Sequence, residues 1–176
     1  MRPSMMGSIV LAAGVIASAC SSDVSKAPTS PTAASYSPAR RGESLPFRGT
    51  ITTADQAEIA PPFLYSDGTG EGTATHLGRF TATYSAIADL ATPTATGTYY
   101  FTAANGDRLV ATFAGTAAPG PTGIPIFTEV LTIVSGTGRL AGATGTFTMR
   151  RLVLIDFATN TSTSTGSIEG EINLGK

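Results

Sequence analysis

The sequence predicts an all-β domain of about eight strands, closed into a barrel or layered as a sandwich, and three observations carry that prediction. Of the 176 residues, 20 are Gly and 11 are Pro, none is Trp and 13% are charged, a balance that favours short strands and many turns over helices. From Leu45 onward, apolar residues recur at every second position in several segments, the period of a half-buried strand. The stretch from Gly136 to Phe147, G-T-G-R-L-A-G-A-T-G-T-F, joins the two most apolar of those segments and carries Gly136, Gly138, Gly142 and Gly145. Glycines so clustered suit a backbone that turns tightly.

Ahead of the domain, residues 1–19 read as a removable export signal. Arg2 supplies a minimal positive start, and Met5 to Ile16 form an apolar segment too short to span a bilayer comfortably. Ala17-Ser18-Ala19 then precede Cys20, the only cysteine. This arrangement resembles the lipobox of bacterial lipoproteins, although Ala17 stands where that pattern prefers Leu. The resemblance implies that Cys20 is lipidated and anchors the protein to the membrane. Ser21 and Ser22 point to the periplasmic side of the outer membrane, and plain secretion is the alternative. A single cysteine rules out an intramolecular disulfide, so the fold must depend on its core. Residues 20–44, rich in Ser, Ala, Thr and Pro, lack an apolar period and are expected to form a disordered tether spanning on the order of 25–30 Å. The net charge is −1 and there is no basic run, so nothing in the electrostatics calls for nucleic acid.

The domain proper is expected over residues 45–176. Phe47, Gly49 and Ile51 alternate with Arg48 and Thr50, a first strand. Ala54 to Gly70 reads as a long loop with one helical turn, because Pro61-Pro62 and Asp67-Gly68 act as breakers. Phe63, Leu64 and Tyr65 within it would plug one end of a barrel. Glu71 to Ser85 reads as one long strand or two joined by a kink at Gly78. Gly97 to Ala103 and Asp107 to Gly115 flank Asn105-Gly106, a strong hairpin signal. Pairing Ala104 with Asp107 sets Phe101 opposite Val110 and Tyr99 opposite Thr112, leaving apolar side chains on both faces, as in a barrel packed on its outside by partner subunits. Ile126 to Val134 and Phe147 to Ile155 follow as strands, and setting Ile133 opposite Phe147 brings Glu129 opposite Arg151 as an ion pair. Last, Ile168, Gly170 and Ile172 alternate with Ser167, Glu169 and Glu171, which gives a closing strand with a solvated outer face.

At G-T-G-R-L-A-G-A-T-G-T-F (136–147), T-H-L-G-R-F (75–80) and T-G-S-I-E-G-E-I (165–172), the chain resembles the allene oxide cyclase and dirigent superfamily, most closely its uncharacterised secreted bacterial members. The resemblance runs from Leu45 to Leu174. It implies an eight-stranded antiparallel closed barrel of calycin type, commonly a homotrimer, with an apolar lumen. In the plant enzymes that lumen holds a cyclising fatty-acid epoxide or guides phenoxy-radical coupling. The shared glycine motif reflects backbone geometry, so it carries fold and not activity.

The chemistry-bearing residues are few. His76 is the only histidine, which removes any multi-histidine metal site, and no metal or cofactor is implied. As a general base His76 would need Glu71 or Asp107 to orient it, and no nucleophile stands out among the serines and threonines; the plainer reading is a rim side chain bonded to a neighbouring strand. Glu71, Arg79, Glu129 and Arg151 are charges embedded in strands, and a charge inside a narrow lumen must be paired. Their structural reading is cross-strand ion pairing. Their functional reading places Glu129 and Arg79, with Tyr99, where they anchor the polar end of an apolar ligand. Arg139 in the glycine-rich turn binds an anion or ties the turn to a carboxylate. The expected function is a non-catalytic binding or structural module for a small apolar ligand or a partner protein. The alternative is an isomerase or cyclase-like enzyme acting in the lumen.

Overall fold

The computed structural model describes residues 43–175. The export signal, Cys20 and nearly all of the tether lie outside those residues. Eight strands follow one another up and down: β1 (Ser44–Ala60), β2 (Phe63–Ala74), β3 (Gly78–Asp89), β4 (Thr94–Ala103), β5 (Arg108–Ala118), β6 (Ile126–Gly136), β7 (Thr144–Asp156) and β8 (Thr161–Asn173). Every neighbouring pair is antiparallel, and β8 pairs with β1 from Ser44↔Asn173 to Gln56↔Thr161, so the sheet closes into a barrel. Closure means that each strand of the described residues has a neighbour on both sides, so the sheet has no edge strand for another chain to extend.

Alternation decides which side chains fill the barrel. Phe47 and Ile51 of β1, Phe80 of β3, Tyr99 and Phe101 of β4, Leu131 of β6, Phe147 and Met149 of β7, and Ile168 and Ile172 of β8 all point inward and are buried. Six of the bulky inward side chains sit directly across from an inward glycine. Tyr84 faces Gly68, Phe80 faces Gly72, Phe113 faces Gly97, Glu129 faces Gly115, Arg151 faces Gly166 and Phe147 faces Gly170. A barrel of this width cannot take two large side chains at one level, so the sequence interleaves large residues with glycine. Around the ring, Phe47 and Phe147 meet edge-on at 4.9 Å and Phe80 and Phe101 at 5.4 Å, contacts worth ~0.5–1.5 kcal/mol each beyond their buried area.

The two ends of the barrel differ. At the end holding the β2–β3, β4–β5 and β6–β7 turns, Leu77 and Leu140 are buried and cap the core. Leu140 comes from a short 3-10 turn, Gly138–Leu140, inside the glycine-rich stretch, and Arg139 there is tied to Asp107 at 3.0 Å. Arg139 therefore takes the turn-tying role of its two expected readings. The opposite end carries the β1–β2, β3–β4, β5–β6 and β7–β8 turns and is open.

Several expectations need correction. Ala54 to Gly70 is not a loop: β1 runs on to Ala60, the chain reverses at Pro61-Pro62, and β2 pairs with it from Ala60↔Phe63 to Gly49↔Ala74. Phe63 and Tyr65 do not plug the barrel, since both are outward and exposed and contact each other edge-on; Leu64 alone of the three lines the interior. Glu71 to Ser85 is neither one strand nor a kinked pair but an antiparallel hairpin turning at Thr75–Leu77. The β4–β5 register differs by one residue: Ala103 N–H donates to the Asp107 carbonyl, leaving a three-residue loop with Gly106 at φ 87°. Phe101 then opposes Leu109 and Tyr99 opposes Ala111. A slip of one residue exchanges faces, so Tyr99, Phe101 and Phe113 all go inside while Tyr100 and Val110 go outside.

Candidate functional site

Half of the lumen is filled and the other half is not. Above the aromatic layers, at the open end, lies a cavity of about 350 Å³, near the lower bound of ~300–1,000 Å³ for small-molecule sites. Its walls are made by small inward residues, Ala57, Ala86, Ala88, Ala95 and Ala117, with Phe113, Phe127 and Val153 behind them and Ile59, Leu64, Leu90, Ile155 and Phe157 towards the mouth. Small side chains on successive strands are what leave the space open. Ile59, Leu90 and Phe157 stand exposed at the rim.

The floor of the cavity is polar. Arg151 and Glu129 form a buried ion pair, Nη2 to Oε1 at 2.5 Å and Nε to Oε2 at 3.1 Å. The expected pair is present, but by a different register. Glu129 opposes Met149, not Arg151, and the contact runs diagonally to the residue two further along β7. An offset of two keeps both side chains on the inner face, within reach of long side chains. The other guanidinium nitrogen, Nη1, donates to Thr53 Oγ1 at 3.1 Å and Ser164 Oγ at 3.0 Å, two hydroxyls that face each other across β1 and β8. Tyr99 donates to Glu129 Oε2 at 3.3 Å. Its ring stacks on that of Tyr84 at 4.7 Å, and the guanidinium carbon of Arg151 lies 5.6 Å from the Tyr84 centroid, a cation–π contact. Among the described residues, no buried side-chain nitrogen or oxygen lacks a hydrogen-bond partner.

One step nearer the mouth, Asp55 accepts hydrogen bonds from Tyr84 Oη at 2.5 Å and Ser162 Oγ at 2.6 Å. Burial pushes the Tyr84 phenol well up, against the pull of Arg151, and the hydrogen bond to Asp55 adds to the rise. Burial raises Tyr99 likewise, with the Glu129 charge beside it. Desolvation alone would disfavour the Arg151 charge, yet Tyr99 and Glu129 outweigh it and hold the guanidinium above its ordinary value. Both phenols are therefore protonated hydrogen-bond donors at neutral pH, and Arg151 is charged.

Two of the site residues expected from the sequence belong to this floor or its support, namely Glu129 and Tyr99. Arg79 does not: it is exposed on the outer face of β3 and shares a shallow outer groove with Glu71, Thr50 and Thr81. Its neighbour Phe80 takes the inward position, so alternation sends Arg79 out. His76 stands exposed at the tip of the β2–β3 turn with φ 66°. Asp107, one carboxylate considered for orienting it, is bound instead by Asn105 and Arg139, which hold its carboxyl below the ordinary 3.8. Arg151, Asp55 and Tyr84 complete the floor and were not assigned to a ligand site. Parity was the available signal: Phe147, Met149 and Arg151 share one face, as do Ile51, Thr53 and Asp55, and Phe80, Ala82 and Tyr84.

No family model matches the chain, and no curated protein or solved structure matches it either.

The glycines across from the floor residues are themselves testable. A Cβ at Gly166 would fall on the Arg150 carbonyl oxygen and 2.7 Å from Arg151 Cγ. Gly166→Ala is expected to cost about 1–3 kcal/mol, the range for overpacking, read as a lower midpoint in urea unfolding. Wild-type stability in this variant would show that Arg151 does not need the space.

Proposed function

We propose that this protein is a non-catalytic binding module that holds one small, largely apolar molecule in the open half of its barrel, with the molecule's polar end on the Asp55–Tyr84–Arg151–Glu129 floor. The observation that carries the reading is the cavity of about 350 Å³, walled by alanines and larger apolar side chains and open at one end. A barrel serving only as a scaffold would fill that volume, because unfilled apolar space costs stability. Here the sequence spends five alanines on keeping it empty.

The floor favours holding over turnover. Four of the five Arg151 N–H donors are committed to internal partners, and the raised Tyr84 phenol is a poor proton donor to a reacting group at neutral pH. The resemblance to the allene oxide cyclase and dirigent superfamily supports the lumen as the place where a ligand sits. The small residues before Cys20 support a lipid anchor, which would keep the module at a membrane where apolar molecules concentrate.

Native mass spectrometry of the purified protein, followed by titration with octan-1-ol, tests the reading. Saturable uptake of one molecule per barrel is expected. Absence of both a co-purified molecule and saturable uptake would refute a ligand-binding role.

A further inference from the structure

The charge balance of the cavity points to the kind of polar end it accepts. The lining contains three carboxylates, Asp55, Asp89 and Glu129, against one guanidinium, Arg151. The charge of that guanidinium is already paired with Glu129. Of its five N–H donors, four are committed inside the wall, two to Glu129 and one each to Thr53 and Ser164. Glu129 is spent in the same contact.

Asp55 is different. It lines the cavity, it receives only neutral donors, the hydroxyls of Tyr84 and Ser162, and no cation is paired with it in any ion pair of the described residues. A carboxylate has about four acceptor positions, so two remain for a ligand. Asp89, towards the rim, is held below the ordinary 3.8 by the backbone N–H of Ala91 and the hydroxyl of Thr92 and so adds a second negative charge. A carboxylate head entering this cup would meet the Asp55 carboxylate, and the one guanidinium in the lining is already paired with Glu129 and so offsets little of the repulsion. An ammonium head would meet an acceptor suited to it, with the phenol oxygen of Tyr84 beside it.

We infer that the cavity selects an apolar molecule bearing a protonated amine, with Asp55 as its counter-ion. This rests on the binding reading above and narrows it to a ligand class that the resemblance to a fatty-acid or phenol-handling family does not imply. The same chemistry would disfavour free fatty acids.

Three probes with one body and different heads, octylamine, octan-1-ol and sodium octanoate, separate the two claims when titrated calorimetrically into the full-length protein at pH 7. Octylamine is expected to bind at least about tenfold tighter than octanol, the margin of a charge-assisted hydrogen bond over a neutral one, and octanoate weakest. Asp55→Asn is expected to erase the margin between octylamine and octanol when both are titrated into that variant, and an amine preference that persists there overturns the inference. Tyr84→Phe removes a neutral donor from Asp55 and is expected to keep the amine preference. Octanoate binding as well as octylamine, or octylamine no better than octanol, overturns the amine inference and leaves the cavity reading standing. Failure of all three probes overturns both.

Discussion

Glu129→Ala is expected to destabilise the barrel by about 3–5 kcal/mol, because it leaves the Arg151 charge buried without its partner. Both members of the pair are almost wholly enclosed, with side-chain exposures of 6% for Arg151 and 4% for Glu129. Thr53 and Ser164 still accept from Nη1 in the variant, and the adjoining cavity can admit water to the floor, so the lower half of that range is expected. The double variant Glu129→Leu/Arg151→Met should recover most of the loss, since apolar residues of similar size replace buried ion pairs well. Coupling read from a double-mutant cycle in urea unfolding is the check, and additive single losses would remove the pair from the account. The outer pair Arg48–Glu169 is a useful contrast. It is 3.9 Å apart with both side chains mostly in solvent, and no measurable coupling is expected there.

Ala117→Phe is expected to abolish or weaken octanol uptake by about tenfold or more, while the thermal midpoint stays level or rises. The side chain of Ala117 lines the cavity on β5, two residues beyond the inward Gly115. A phenyl ring there occupies space that the native fold leaves empty, so the ligand loses its place as the barrel gains contacts. Parallel loss of stability would mean that the region is tightly packed already. Unchanged affinity with an intact fold would place the ligand elsewhere.

Much of the architecture was legible because a closed barrel has one simple grammar. Alternation at Phe47–Ile51 and Ile168–Ile172 marked the inner face of strands that turn out to pair with each other. The stretch Ala54 to Gly70 was illegible for a physical reason. Its Asp67-Gly68 dipeptide has the composition of a turn, yet Gly68 lies mid-strand because a Cβ there would strike the ring of Tyr84. Glycine in this chain marks crowding across the lumen as often as reversal of the chain, and one sequence taken alone does not separate the two. Misreading that stretch hid Asp55, since parity assigns a face only within a recognised strand. The hairpin at Asn105-Gly106 was legible as a turn but not in its register, because two-residue and three-residue loops share that dipeptide. By contrast the Glu129–Arg151 pair survived a wrong register, since an error of two residues preserves the face.

A filled half and an open half divide one lumen, and the open half is the place proposed for the ligand. Methyl-resolved NMR of the labelled protein during octanol titration tests it most directly. Shifts are expected at Ala57, Ala86, Ala117 and Val153, with Leu131, Ile168 and Ile172 in the packed half unmoved. Shifts gathered instead at outward residues such as Val130 and Leu152 would contradict it.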